Sequence, residues 1–142
     1  MTTSTLAETM ALGALSGMRT FSGPAALTFR HRAGLQRATA LLAAGEMLAD
    51  KLPFISDRIA PFPLAARATS GAVVGGVIAR EEGSSVLAGA LLGAAAAVGA
   101  AVVAYHLRRR SPLPNVVNGM LEDALVFGIG AYLTAAQRQS DR

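Results

Sequence analysis

The sequence has no cysteine, no tryptophan and few aromatic residues of any kind, at 5% of the chain. The absence of cysteine excludes disulfides, thiolate metal sites and a thiol nucleophile. No H-E-x-x-H pair, G-x-S-x-G turn or phosphate-binding P-loop occurs either, so we predict no catalytic residue, metal or cofactor. The formal net charge of +4 comes from short basic runs without interleaved aromatics, and we therefore predict no nucleic-acid partner.

Apolar and small residues dominate what is present. Hydrophobic residues make up 52% of the chain, charged residues only 15%, and 15 of the 142 residues are glycine. The apolar residues lie in long blocks separated by short charged groups, which is typical of membrane proteins. Residues 85–107 carry no formal charge and exceed the roughly 20 residues needed to cross a bilayer. We predict a transmembrane helix there.

Four further apolar segments, at 5–29, 34–50, 63–79 and 113–136, complete the predicted fold. The fold class is all-α, a polytopic membrane helix bundle of about four to five segments in a single membrane domain, 1–142. The segment 34–50 is short and precedes a polar, proline-containing stretch, so it either crosses the bilayer or is re-entrant. In the first segment, Thr5-x-x-Glu8 predicts a capping box, and Pro24 predicts a bend or break.

The segments contain a weak internal repeat. Glu46 follows Phe29 at the same spacing at which Glu122 follows Tyr105, so 5–50 and 85–136 are similar, with 63–79 as a linking helix. If all five segments cross, the linking helix inverts the second copy, which is the inverted-repeat plan of many transporters. Chance similarity between two Ala/Gly-rich hairpins is the alternative.

Pairs of glycines four residues apart indicate close helix packing. They occur at Gly13/Gly17, Gly71/Gly75 and Gly89/Gly93. Small residues at this spacing let helix backbones approach each other. The pattern does not say which helices touch.

Ionisable residues inside the apolar segments are the candidate site. Charges at membrane depth are costly and need a partner, an aqueous cavity or a function. We expect Arg19 to meet Glu46 or Glu122. The acids are Glu46, Asp50, Glu122 and Asp123, and the counter-charges are Arg19 and Arg67. Polar residues at helical spacing extend these sites into stripes that include Ser16, Thr39, Asn115 and Asn118, with Thr9 and Gly23 on the face of Arg19.

Three interpretations of this charge set stay open. In the first, the carboxylates bind a small cation or solute, or exchange protons, in a transporter or channel. In the second, the ion pairs only fix helix packing in a structural or partner-binding membrane protein. In the third, Glu122 and Asp123 act in an intramembrane lipid enzyme.

Three stretches resemble one known family. They are G-M-R-T-F-S-G-P-A at 17–25, G-E-M-L-A-D-K-L-P at 45–53, and L-P-N at 113–115 followed by E-D at 122–123. This set resembles the bacterial small integral membrane proteins grouped as domain of unknown function 4126. The resemblance covers most of the chain. It implies a multi-helix protein of the bacterial inner membrane and supplies no activity, substrate or catalytic residue.

The distribution of basic residues bears on orientation and assembly. If all five segments cross, lysines and arginines divide almost evenly between the two sides, which indicates dual insertion and an antiparallel homodimer. If 34–50 is re-entrant, residues 30–37, 51–63 and 108–112 share the more basic side, which is then cytoplasmic. The expected partners are the lipid bilayer, a second copy of the chain, and a small cation, proton or solute.

Overall fold

The computed structural model describes residues 1–30, 36–49 and 61–140, and these contain six α-helices and no strand. The helices are α1 Thr3–Met18, α2 Ser22–Arg30, α3 Gln36–Ala49, α4 Pro61–Glu81, α5 Val86–Arg110 and α6 Asn115–Ser140. The predicted all-α class is confirmed. Asp50 and the side chains of Glu46 and Asn115 lie outside the described residues.

The first helix begins earlier than the sequence pattern predicts. Thr2 is its N-cap, and the Thr2 hydroxyl accepts a hydrogen bond from the Thr5 backbone N–H at 3.2 Å. The capping box that starts at Thr5 is therefore wrong, because Thr5 already lies inside the helix. In α5, Ser85 has the same role and accepts from the Ala88 backbone N–H at 3.3 Å.

The predicted first segment is divided by a break at residues 19–21. Arg19, with φ −143° and ψ 123°, leaves the helical conformation, and its N–H donates to the Leu15 carbonyl at 2.9 Å. The Ser22 hydroxyl lies 2.6 Å from the same carbonyl oxygen and 2.8 Å from that of Arg19. Pro24 falls in the first turn of α2, where a missing N–H costs no helical hydrogen bond. The predicted break is confirmed, and it lies just before the proline.

Glycines bring α1, α4 and α5 together backbone to backbone. A Cβ added at Gly17 would lie within 3.0 Å of the Ala97 backbone, and one at Gly13 would meet Gly93 equally closely, so α1 and α5 run parallel. The added Cβ of Gly71 would meet Gly93, and that of Gly75 would meet Gly89, so α4 and α5 run antiparallel. The predicted tight packing is confirmed at all three glycine pairs.

The other helices pack around the break. The α2 helix contacts α1, α3, α4 and α6, whereas α3 packs chiefly on α2. The α6 helix lies against α2 and α1. A small apolar core joins these layers and consists of Leu12, Leu15, Leu27, Val74, Ile78 and Val126.

Two of the described helices, α4 and α5, are long and apolar enough to cross a membrane. Only 39% of the apolar window of α4 and 22% of that of α5 is buried, so most of their apolar surface faces outward. A core helix of a soluble protein would bury most of that surface. Four or five spans and the inverted repeat are not shown, and the repeat stays a prediction. Its first segment is broken, whereas the counterpart α5 is continuous.

Candidate functional site

Arg19 lies buried at the break between α1 and α2, and only 1% of it is exposed. Because Gly13 faces Gly93 and Gly17 faces Ala97, the parallel register places Arg19 near residue 99 of α5. At 1.5 Å per residue, α5 is about 37 Å long, and this point lies near its middle. A permanent cation is therefore buried halfway along the most apolar helix of the chain.

Asp123 of α6 forms an ion pair with Arg19. The Arg19 Nη2 atom donates a hydrogen bond to Asp123 Oδ1, and the Asp123 side chain is 14% exposed. The pair connects the break to the last helix across a sequence separation of more than one hundred residues. The sequence favoured Glu46 or Glu122 as the partner of Arg19, and the structure corrects this by bringing in the acid next to Glu122.

Glu122 pairs with a different arginine. Arg108, at the end of α5, donates from Nη2 to Glu122 Oε2 at 2.9 Å. Adjacent residues on a helix point about 100° apart, so Glu122 and Asp123 face different neighbours. The guanidinium lies beside Gly119, where an added Cβ would be 3.5 Å from the same nitrogen. Sequence analysis assigned Arg108 only to the basic run that follows the span and did not identify this ion pair.

Arg67 is the second buried arginine and is 4% exposed. In the antiparallel register of α4 and α5, Gly71 faces Gly93, so Arg67 lies about one turn further along, near Ala97. Arg67 and Arg19 are therefore at similar heights. One turn from Arg67, the Ser70 hydroxyl donates to the Thr20 carbonyl in the break. The structure thus places both predicted counter-charges at the same level of the bundle.

The predicted polar stripe of α1 is buried. Thr9 and Ser16 are fully buried on the face that also carries Arg19. The Ser16 hydroxyl donates to the Leu12 carbonyl at 3.3 Å, and Gly23 packs directly against Ser16. The Thr9 hydroxyl has no hydrogen-bond partner within the described ranges. This stripe therefore belongs to the interior of the bundle.

Two other predicted polar residues hold connections between helices. Thr39 of α3 lies 2.8 Å, oxygen to oxygen, from the Thr28 hydroxyl of α2. Asn118 accepts from the Ser111 hydroxyl at 2.8 Å and donates to the Leu113 carbonyl at 3.0 Å. Asn118 therefore closes the turn between α5 and α6, and the described contacts of Thr39 join α2 to α3.

The site is a set of paired charges. No group of three or more His, Asp or Glu side chains that could hold a metal ion occurs among the described residues. Both described carboxylates of the predicted set, those of Glu122 and Asp123, accept hydrogen bonds from arginines. Such a site can exchange partners within its ion pairs, or admit an ion that competes with one of them.

No family model, no curated protein and no solved structure matches the chain.

Proposed function

We propose that the chain is a multi-pass membrane protein that moves a small ion or solute through a polar centre at the α1–α2 break. The observation that carries this proposal is the ion pair between Arg19 and Asp123 at mid-height of α5. If α5 crosses the bilayer, this pair lies near the bilayer centre, where charged residues commonly mark substrate and ion pathways.

The broken helix supports the same function. Discontinuous helices in transporters expose backbone groups and helix ends at the depth of the substrate site. Here the break carries Arg19, and its carbonyls at Leu15 and Thr20 are engaged by serine hydroxyls. Asp123 carries cation or proton exchange in this proposal, together with Glu122, Glu46 and Asp50, while Arg19 and Arg67 supply the counter-charge. The resemblance to domain of unknown function 4126, the bacterial inner membrane and the homodimer stay predictions.

A second function is favoured by the packing. The glycine contacts of α1, α4 and α5 join these helices backbone to backbone, and both described carboxylates are in ion pairs. This arrangement also suits a structural or partner-binding membrane protein in which the pairs fix the positions of α2 and α6.

Flux through proteoliposomes distinguishes the two functions. We expect the purified protein to dissipate a gradient of at least one small ion, tested in turn with protons, sodium, potassium and chloride. Asp123→Asn is expected to abolish this flux, whereas Glu122→Gln, its neighbour on the same helix, retains most of it. Both variants are compared at equal reconstituted amounts and equal melting temperatures. Flux of the unsubstituted protein no greater than that of empty liposomes, for all four ions, would reject transport and favour the packing function.

A further inference from the structure

The end of α5 carries three consecutive arginines that have different surroundings. Arg108 is turned inward to Glu122, as described above. Arg109 and Arg110 are exposed. Arg109 donates from Nη1 to the Tyr105 hydroxyl at 3.2 Å, and its guanidinium carbon lies 5.7 Å from the centre of the Tyr105 ring. Tyr105 therefore holds the Arg109 guanidinium in a defined position one turn above itself.

An exposed apolar strip lies directly below these two arginines. Val102 and Val103 precede Arg109 and Arg110 by seven residues, which is two helical turns, and so share their faces of α5. Leu107 lies between them. All three apolar side chains are exposed, with 57% of Val103 and 65% of Leu107 accessible. The surface thus presents cations and a phenol at one level and aliphatic groups immediately beneath.

We propose that Arg109, Arg110 and Tyr105 bind the phosphate of an anionic phospholipid whose acyl chains lie along Val102, Val103 and Leu107. Guanidinium groups bind phosphate oxygens through paired N–H donors, and arginine and tyrosine at a helix end are suited to the headgroup level of a bilayer. The proposal rests on the membrane insertion of α5 and is independent of transport.

The opposite end of the α4–α5 hairpin has the opposite balance of charge. Arg80 is followed there by Glu81 and Glu82, and all three are exposed. An anionic headgroup meets two acids at that end and none within the 105–110 run. The lipid site therefore belongs to the C-terminal end of α5, and Arg80 provides a matched control: an exposed arginine at the end of an apolar helix without an arginine neighbour or a tyrosine support.

The test uses the full chain in a neutral detergent, with thermal unfolding measured during titration with phosphatidylglycerol or phosphatidylcholine. Phosphatidylglycerol is expected to raise the melting temperature at lower concentration than phosphatidylcholine. The double substitution Arg109→Gln with Arg110→Gln is expected to weaken the apparent affinity for phosphatidylglycerol roughly fivefold for each arginine removed. Arg80→Gln leaves the affinity unchanged, and Tyr105→Phe weakens it because the Arg109 guanidinium loses its hydroxyl support.

Two further arms keep the result interpretable. Soluble glycerol 3-phosphate at matched concentration is expected to give no stabilisation, and equal stabilisation would assign the site to free phosphate. If the glutamine variant melts early without lipid, the lysine pair Arg109→Lys with Arg110→Lys replaces it; this variant keeps the charge and is expected to retain most of the affinity. Equal responses to the two lipids, or a loss in Arg80→Gln as large as that in the double variant, would overturn the proposal. Because no arm measures flux, a negative result leaves the transport proposal standing.

Discussion

Glu122 and Asp123 are neighbours with the same charge, yet the structure gives them different surroundings. Asp123 meets an arginine that is 1% exposed, whereas the arginine of Glu122 keeps 26% of its side chain accessible. A buried cation that loses its counter-charge is left without compensation, whereas a partly exposed one is solvated by water. The two positions therefore form a matched pair for measuring what the buried ion pair contributes.

We expect Asp123→Asn to lower the free energy of unfolding by roughly 3–5 kcal/mol, because it leaves Arg19 buried without this carboxylate. Glu122→Gln should cost about 1 kcal/mol or less, since Arg108 reaches solvent. Equilibrium unfolding in detergent by a chemical denaturant measures both. The double variant Arg19→Met with Asp123→Leu should recover much of the loss, because it removes both charges together. Equal costs for the two single variants would contradict this account.

A buried hydroxyl in α1 allows a second comparison of neighbours. Thr5 and Thr9 are both buried and lie one turn apart. The Thr5 hydroxyl lies 2.6 Å from that of Thr2, whereas the Thr9 hydroxyl has no partner in the part of the chain that the structure describes. Replacing an unpaired buried hydroxyl with a methyl group of the same shape removes a desolvation cost.

Thr9→Val is therefore expected to stabilise the protein by about 1 kcal/mol, and Thr5→Val to destabilise it by about the same amount. Melting temperatures in a single detergent provide the comparison. A destabilised Thr9→Val variant would show that this hydroxyl has a hydrogen-bond partner, such as a water molecule between α1, α4 and α5.

At the scale of the helices, glycines in α5 have two distinct environments. A Cβ at Gly93 would approach the Gly71 backbone of α4 to within 3.0 Å, whereas one at Gly99 would meet nothing within 4 Å. The two residues lie six positions apart in the same helix, so their local helical propensities are comparable. The difference between them isolates interhelical contact.

Gly93→Ala is expected to destabilise the bundle by about 1–3 kcal/mol, because α4 and α5 must separate to admit the methyl group. Gly99→Ala should be neutral or stabilise the protein by up to about 1 kcal/mol, since alanine favours the helical conformation more than glycine. Thermal unfolding of both variants tests this contrast. An undisturbed Gly93→Ala protein would show that α4 and α5 are not in close contact.

The helices could be predicted from the sequence better than their contacts. The segments 63–79 and 85–107 lie inside α4 and α5, because apolar length and charged ends mark a long helix directly. The break near Pro24 was also predictable from the missing N–H. The partner of Arg19 was not, because choosing between Glu122 and Asp123 requires the rotation of α6 about its axis. Arg108 was missed since its side chain turns inward, against the pattern of the two arginines that follow it.

At the scale of the whole molecule, the described helix directions restrict the topology. The parallel register places the N-terminus of α1 at the same end as the turn between α4 and α5. Asn118 and the Arg108–Glu122 pair hold the beginning of α6 to the end of α5. Asp123, about 12 Å into α6 by helical rise, reaches Arg19 at mid-height of α5, so α6 returns toward the starting end.

We therefore expect the 81–85 turn and the C-terminal end of α6 to face one side of the membrane, and the 111–114 turn to face the other. The three arginines at 108–110 make the second side the more basic one, which the positive-inside rule assigns to the cytoplasm. Reporter domains inserted at Gly83, inserted at Pro112, or fused after α6 measure this directly. The reporter at Pro112 should be active only on the cytoplasmic side and the other two only on the outer side. Signals from both sides for every fusion would instead demonstrate dual insertion, and the antiparallel homodimer would then become the assembly to test by crosslinking, for which the absence of native cysteines leaves every introduced thiol unambiguous.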